Sequence, residues 1–267
     1  MLAAASTAFG AAEAAAASPK LAADAKTARA VLPKQKPKAE LLQPWTGPYQ
    51  GVPPWDKVTA PKIKAAILEG IDLQRKDYEA IASNPAKPTF ANTLVAMEMA
   101  GEPLDLALNL FGVMTSNIGS DDYNDVDTEV SPLLSIASDE ITFNAKLFAR
   151  IKAVAEGAKA AGLTAEQTRL ATRAYQRFVR NGAALDAKGK AELGRINTAL
   201  ASAFTSFGQK VVADENTWTL IAEETGVAGM PASNVAAAAA AASKRGLKGW
   251  AIVNTRSSVD PFLTTAN

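Results

Sequence analysis

Five carboxylates, Asp121, Asp122, Asp125, Asp127 and Glu129, form the densest acidic run in the chain. Asp125, Asp127 and Glu129 have the alternate spacing of the first ligands of a calcium loop. Such a loop also needs Gly at its sixth position and Glu at its twelfth. Val130 and Ile136 stand there instead. The run reads as the acidic start of a helix, where the macrodipole favours negative charge. Glu223 and Glu224 could form an acid/base pair, but neighbouring residues beyond a strand diverge, so a surface role is the default. Gly189-Lys190 lacks the phosphate-loop spacing, because the first glycine is misplaced and no Ser or Thr follows the lysine. Arg256-Ser257-Ser258 is the most informative polar cluster. A guanidinium at a strand end can face a cleft and hold a carboxylate; a salt bridge or loop-capping role is favoured over that.

The chain has no Cys and no His. It therefore has no disulfide, thiol nucleophile or thiolate metal site, and it lacks the commonest general base and metal ligand. The Ser-His-Asp triad, the Cys-His pair and every usual zinc site are excluded. The remaining chemical groups are carboxylates, Lys, Tyr and Ser/Thr. No catalytic and no metal-binding residue is assigned. Formal net charge is +1 over 267 residues, with Lys and Arg dispersed, so a nucleic-acid partner is not expected. No apolar run approaches the ~18 residues of a membrane span.

Such side chains must be positioned by elements, and most of these read as helices. Met1 to Ala17 is Ala-rich with a single charge, Glu13. It resembles part of a secretory signal without the positive start, which suggests a periplasmic location; a low-complexity leader and a cytoplasmic location are the alternative. Lys20 to Lys38, with Pro33 and Pro37, reads as a flexible basic linker, so residues 1–40 are set apart from 41–267. From Leu41 a Pro/Gly-rich strap carries Trp45, Tyr49 and Trp55. Ile63, Ile67, Ile71, Tyr78 and Ile81 recur at helix spacing from Thr59 to Ile81. Thr89 caps a helix that Pro103 kinks or splits, and its apolar stripe continues to about Asn117. Ser120 opens another helix, Pro132 marks a break, and Ser138 or Asp139 caps the next, which Gly162 closes. Thr164 and Gln167 form a capping box for a helix stopping at Asn181-Gly182. Leu193, Ile196, Leu200, Phe204, Phe207 and Val211 mark the longest amphipathic helix.

The period then changes. Trp218 and Leu220 alternate with Thr217 and Thr219 as a strand. An Ala-rich helix follows from Ala232 to Lys244. A second strand begins at Trp250 and is broken by Pro261. Two strands alone are marginal in water, so the sheet is expected to be incomplete within this chain. The fold class is mainly α, with a small β-sheet element near the C-terminus.

Several segments resemble one family. They are Val227-Ala-Gly-Met-Pro231, Arg245-Gly-Leu-Lys-Gly249 and Ile252-Val-Asn-Thr-Arg256-Ser-Ser-Val-Asp-Pro-Phe-Leu263. Earlier ones are Leu42-Gln-Pro-Trp45, Gly51-Val-Pro-Pro-Trp-Asp56, Pro88-Thr-Phe-Ala-Asn-Thr93 and Ser138-Asp-Glu-Ile141 with Leu147-Phe-Ala-Arg-Ile151. From about Leu41 to Leu263 the chain is similar to the zinc metallopeptidases that include peptidyl-dipeptidase, oligopeptidase A and thimet oligopeptidase, and most to the peptidyl-dipeptidases. The resemblance implies a helix-rich ellipsoid with a deep channel, and zinc held by H-E-x-x-H plus a distant Glu. It also implies release of C-terminal dipeptides from short peptides. None of the zinc motif is present, so no catalytic residue carries over and the chain is expected to bind no zinc. It is read as the N-terminal, helical region, truncated before the catalytic domain, shaping the channel as a monomer with short peptides as the substrate class. The alternative is a non-catalytic helical peptide-binding module.

Overall fold

The computed structural model describes residues 19–46 and 51–266. The leader at Met1–Ala17 and positions 47–50 of the aromatic strap lie outside the described residues. The chain divides into two compact units, up to Ser202 and from Ala203.

The first unit is helical. Its frame is α1 (Pro19–Val31), α2 (Ala60–Ala82), α3 (Ala96–Met99), α4 (Glu102–Asn117), α5 (Asp121–Phe143), α6 (Ala145–Gly157) and α7 (Ala165–Arg180). The helix α8 (Ala187–Glu215) contains the division between the units. The apolar stripe of α2 feeds one core, in which Ile63, Ile67 and Ile71 meet Leu104 and Leu110 of α4 and Val126 and Val130 of α5. A second core gathers Ala28 of α1, Ile81, Leu94, Leu147 and Ile151 of α6 and Phe178 of α7. Phe148 and Tyr175 stack between α6 and α7 with centroids 5.6 Å apart.

The helix starts follow the expected chemistry in two places. Thr89 caps a wide turn (Phe90–Val95) that leads into α3, and its capping box uses Asn92 in the third position. Thr164 and Gln167 cap α7 reciprocally, each satisfying a backbone N–H that has no intrahelical partner. Pro103 splits the helices as expected, since α4 begins beside it after Gly101, whose φ is +83°.

Four expectations are corrected. Lys20 to Lys38 is not a flexible linker: α1 buries Ala28 completely, and the extended stretch after it is fastened to α2. Gln35 Nε2 donates to the Leu73 carbonyl at 3.0 Å and to Asp77 Oδ1 at 2.6 Å. The Lys38 and Ala39 amides donate to the two carboxylate oxygens of Glu69 at 2.7 and 2.6 Å. Second, Pro132 does not break its helix; α5 continues through it. An interior proline costs about 3 kcal/mol, but Tyr123, Val126, Val130 and Ala137 bury one continuous face of α5, and that packing outweighs the local penalty. Third, Ser138 and Asp139 lie inside α5, and the cap of α6 is Asn144, whose side chain accepts from the Leu147 amide at 3.0 Å. Fourth, the segment around Pro261 is a helix, α10 (Arg256–Thr265).

In the second unit, β1 (Trp218–Ile221) pairs antiparallel with β2 (Trp250–Val253), placing Trp218 opposite Val253 and Ile221 opposite Trp250. The helix α9 (Ala232–Lys244) has the bounds its Ala-rich run implied. Val227, Met230, Ala238 and Ile252 form a small core. The guanidinium of Arg245 lies 4.8 Å from the centre of the Trp218 ring. Among the described residues no helix is long and apolar enough to cross a membrane.

Candidate functional site

The acidic run of residues 121–129 lies on the first turns of α5. In a helix, residues two apart point nearly opposite ways, so Asp127 cannot join Asp125 and Glu129 around one ion. Glu129 instead pairs with Lys64, and Asp127 accepts from the Ser131 hydroxyl at 2.9 Å. Glu223 and Glu224 are exposed, at the start of a short 3-10 turn (Glu224–Val227). Arg256 is solvent-exposed at the start of α10 and pairs with Asp260 one turn later at 3.3 Å. The salt-bridge reading of Arg256 is therefore the one observed. Ser257 and Ser258 line a shallow cavity of about 260 Å³ with Thr255, Asn234 and alanines of α9, and Arg256 is not part of that lining.

The most developed polar constellation lies elsewhere, in the first unit, and centres on Arg150 of α6. Its side chain is buried, with 6% of the residue exposed. One guanidinium nitrogen, Nη1, donates to the carbonyls of Asn84 and Ala86 at 2.8 and 3.0 Å. The other, Nη2, donates to Asn92 Oδ1 at 2.9 Å and reaches Thr93 Oγ1 at 3.4 Å. Asn92 Oδ1 also accepts from the Thr89 amide at 2.8 Å. Arg150 Nε is buried with no hydrogen-bond partner among the described residues. Burial holds the Arg150 pKa below its ordinary value. A shallow cavity of about 510 Å³ opens beside Asn84, Ala86 and Asn92, bounded by Thr27, Ala30 and Val31 of α1. This network locks the 84–93 loop between α2 and α6. It contains hydrogen-bond donors and acceptors but no nucleophile paired with a base.

Asp77 of α2 is a buried carboxylate, and it holds three segments together. Its Oδ1 accepts from Gln35 and its Oδ2 from the Gly101 amide at 3.0 Å. Desolvation raises its pKa above the ordinary 3.8, opposed by those two hydrogen bonds. A raised folded-state pKa means that the folded protein binds this proton more readily than the unfolded chain does. Stability from Asp77 is then fully present below pH 3.8, and it falls as pH rises through the raised value. Comparing urea denaturation of the parent protein and Asp77→Asn across pH 3 to 7 isolates this slope. The parent should lose stability relative to the variant as pH rises through that window; parallel profiles would refute it. The comparison must be differential, because Lys62 and Lys57 hold Glu40 below its ordinary pKa and give an opposite slope.

Among the described residues the other shifted titratable groups form no catalytic set. Burial pushes Tyr78 up to about 12, too high for proton transfer near neutrality. Asp139 accepts from Asn197 at 2.8 Å, and desolvation raises its pKa. No three His, Cys, Asp or Glu side chains converge on a metal position among the described residues. With no His or Cys in the chain, these residues do not fit a zinc ion.

No family model matches the chain. Individual proteins do, and those it is similar to are bacterial peptidases. It is 34% identical over 220 residues, or 82% of its length, to dipeptidyl carboxypeptidase of Escherichia coli K12. The same identity and coverage hold for dipeptidyl carboxypeptidase of Salmonella typhimurium LT2. Oligopeptidase A of Escherichia coli is more distant, at 23% over 225 residues and 84% of the chain. These stretches are 32% of each dipeptidyl carboxypeptidase and 33% of the oligopeptidase, so the chain spans about a third of the length of the relatives it matches.

Proposed function

We propose that the chain is the N-terminal portion of a zinc-dependent peptidyl-dipeptidase. Its helices wall a channel that admits short peptides and excludes folded proteins by size, and polypeptide outside these residues supplies the zinc site. The observation that carries this reading is the 34% identity to dipeptidyl carboxypeptidase over a match that is only 32% of that protein. The donor chemistry agrees with it, because an H-E-x-x-H site needs two histidines and this chain has none. No zinc-dependent step is assigned to its residues. The substrate class, short peptides releasing C-terminal dipeptides, comes from the same relationship.

Incubating the purified chain with short peptides and zinc should release no dipeptide above background. Chelator-sensitive cleavage by this chain alone would overturn the reading. Tight binding of short peptides by the isolated, well-folded chain, without cleavage, would favour a self-sufficient binding module instead. A periplasmic location is also proposed, from the composition of Met1–Ala17, and fractionation of the producing cells tests it.

A further inference from the structure

The second unit carries an apolar face that its own core does not use. Phe204, Phe207 and Val211 follow one another on α8 at spacings of three and four, so they share one helix face. They are 69%, 67% and 41% exposed. Leu200 and Ile196 extend the same periodicity earlier in the helix and are also exposed. Trp218 and Leu220 of β1, on one side of the strand, are 46% and 42% exposed. Isolated exposed apolar residues are ordinary, but a periodic row with two phenylalanines is the pattern of a helix that packs against something. Side chains of this size present on the order of 100 Å² each at such exposures.

We propose that Phe204, Phe207 and Val211 form the docking face for the peptidase polypeptide that makes up the other two-thirds of the relatives' length. This rests on the reading under Proposed function and adds the surface to it. Two observations select that occupant. The relatives carry about twice as much further polypeptide as the part this chain matches. The face is also narrow. A stable dimer buries roughly 800 Å² per partner; at on the order of 100 Å² each, Phe204, Phe207 and Val211 fall well short of it, and Leu200 and Ile196 on the same row do not make up the difference. A segment belonging to the same molecule avoids most of the entropy cost of association, so a narrow apolar row suffices.

The test uses two proteins. One is the 267-residue chain; the other is a chimera in which that chain replaces the matched third of Escherichia coli dipeptidyl carboxypeptidase. The double variant Phe204→Glu/Phe207→Glu is made in each. In the isolated chain, where both rings face water, the melting temperature should hardly move. In the chimera it should fall by on the order of 5 °C or more, with loss of chelator-sensitive peptidase activity. Equal small shifts in both proteins would overturn the docking face. So would an isolated chain that sediments as a dimer and is dissociated by the double variant, since a second copy would then be the occupant. A parent chimera that folds but shows no peptidase activity would sink the peptidase reading, while the paired melting temperatures still decide the docking face. A parent chimera that does not fold counts against both.

Discussion

Replacing Arg150 with Ala should lower the stability of the chain to urea by about 3 kcal/mol, through three contributions of mixed sign. Removing the guanidinium relieves the desolvation cost of a buried charge, which favours the variant. Against this, the carbonyls of Asn84 and Ala86 and the Asn92 side-chain oxygen lose a donor inside the protein. Asn92 Oδ1 keeps the Thr89 amide as a donor, whereas each carbonyl left without a partner costs about 1–3 kcal/mol. Truncation to Ala also removes the Cγ and Cδ methylenes of a buried stem and leaves a void, worth about 0.8 kcal/mol per methylene. The unpaired acceptors and the void together exceed the relief, so the net effect is destabilising. Arg150→Lys keeps a charge but loses the planar fork that spans the loop and Asn92, and should fall between the parent and Arg150→Ala. Arg150→Met keeps most of the stem and separates packing from hydrogen bonding. If Met restored the parent's stability, the network would contribute nothing net. A loss below about 1 kcal/mol for Arg150→Ala would contradict the argument.

The same residue shows where sequence reading stops. An arginine within Leu147-Phe-Ala-Arg-Ile151 reads as the polar side of an amphipathic helix, and its acceptors lie 58 to 66 residues away. Nothing local marks it as buried. By contrast, α2 and α9 were legible because their patterns are local: isoleucines at helix spacing in one, an uninterrupted Ala run between Pro231 and Gly246 in the other. The cap at Thr89 and the capping box of Thr164 with Gln167 were also legible, because a cap acts within one helical turn; the Asn92 half of the box at Thr89 was not. The misses share one cause, which is tertiary packing overriding a local signal. Pro132 signals a break, yet the buried face of α5 carries the helix through it. Basic residues and prolines between Lys20 and Lys38 signal solvent, yet Asp77 and Glu69 of α2 hold the segment after α1 in place. At Arg256 the local rule succeeded, because an exposed arginine four residues before an aspartate needs no distant partner.

Gly70→Leu should be among the most damaging single substitutions in the first unit, costing more than about 3 kcal/mol, with Gly70→Ala costing about 1–2. Gly70 lies on the buried face of α2. A Cβ added there would sit 2.8 Å from the Leu104 Cα and 3.1 Å from the Leu104 amide nitrogen. These are backbone atoms, so no rotamer change relieves the contact, and α2 and α4 must move apart. Alanine gains up to about 1 kcal/mol of helix propensity over glycine, which offsets part of the clash for Ala. For Leu the added bulk far exceeds that gain. Sliding of α4 is restrained as well, because the Asp77 carboxylate on α2 holds the Gly101 amide just before α4 begins. Separation at Gly70 therefore opens the core of Ile67, Ile71 and Leu110 rather than shifting one helix along the other. Trimming the facing side chain provides a sharp check. Leu104→Ala leaves the Leu104 Cα and amide in place, so it should not rescue Gly70→Ala, and the two losses should add or worsen. Rescue would mean that the contact is a side-chain clash. A neutral or stabilising Gly70→Ala would mean that α2 and α4 separate freely, and that glycine is not what lets the two helices approach so closely.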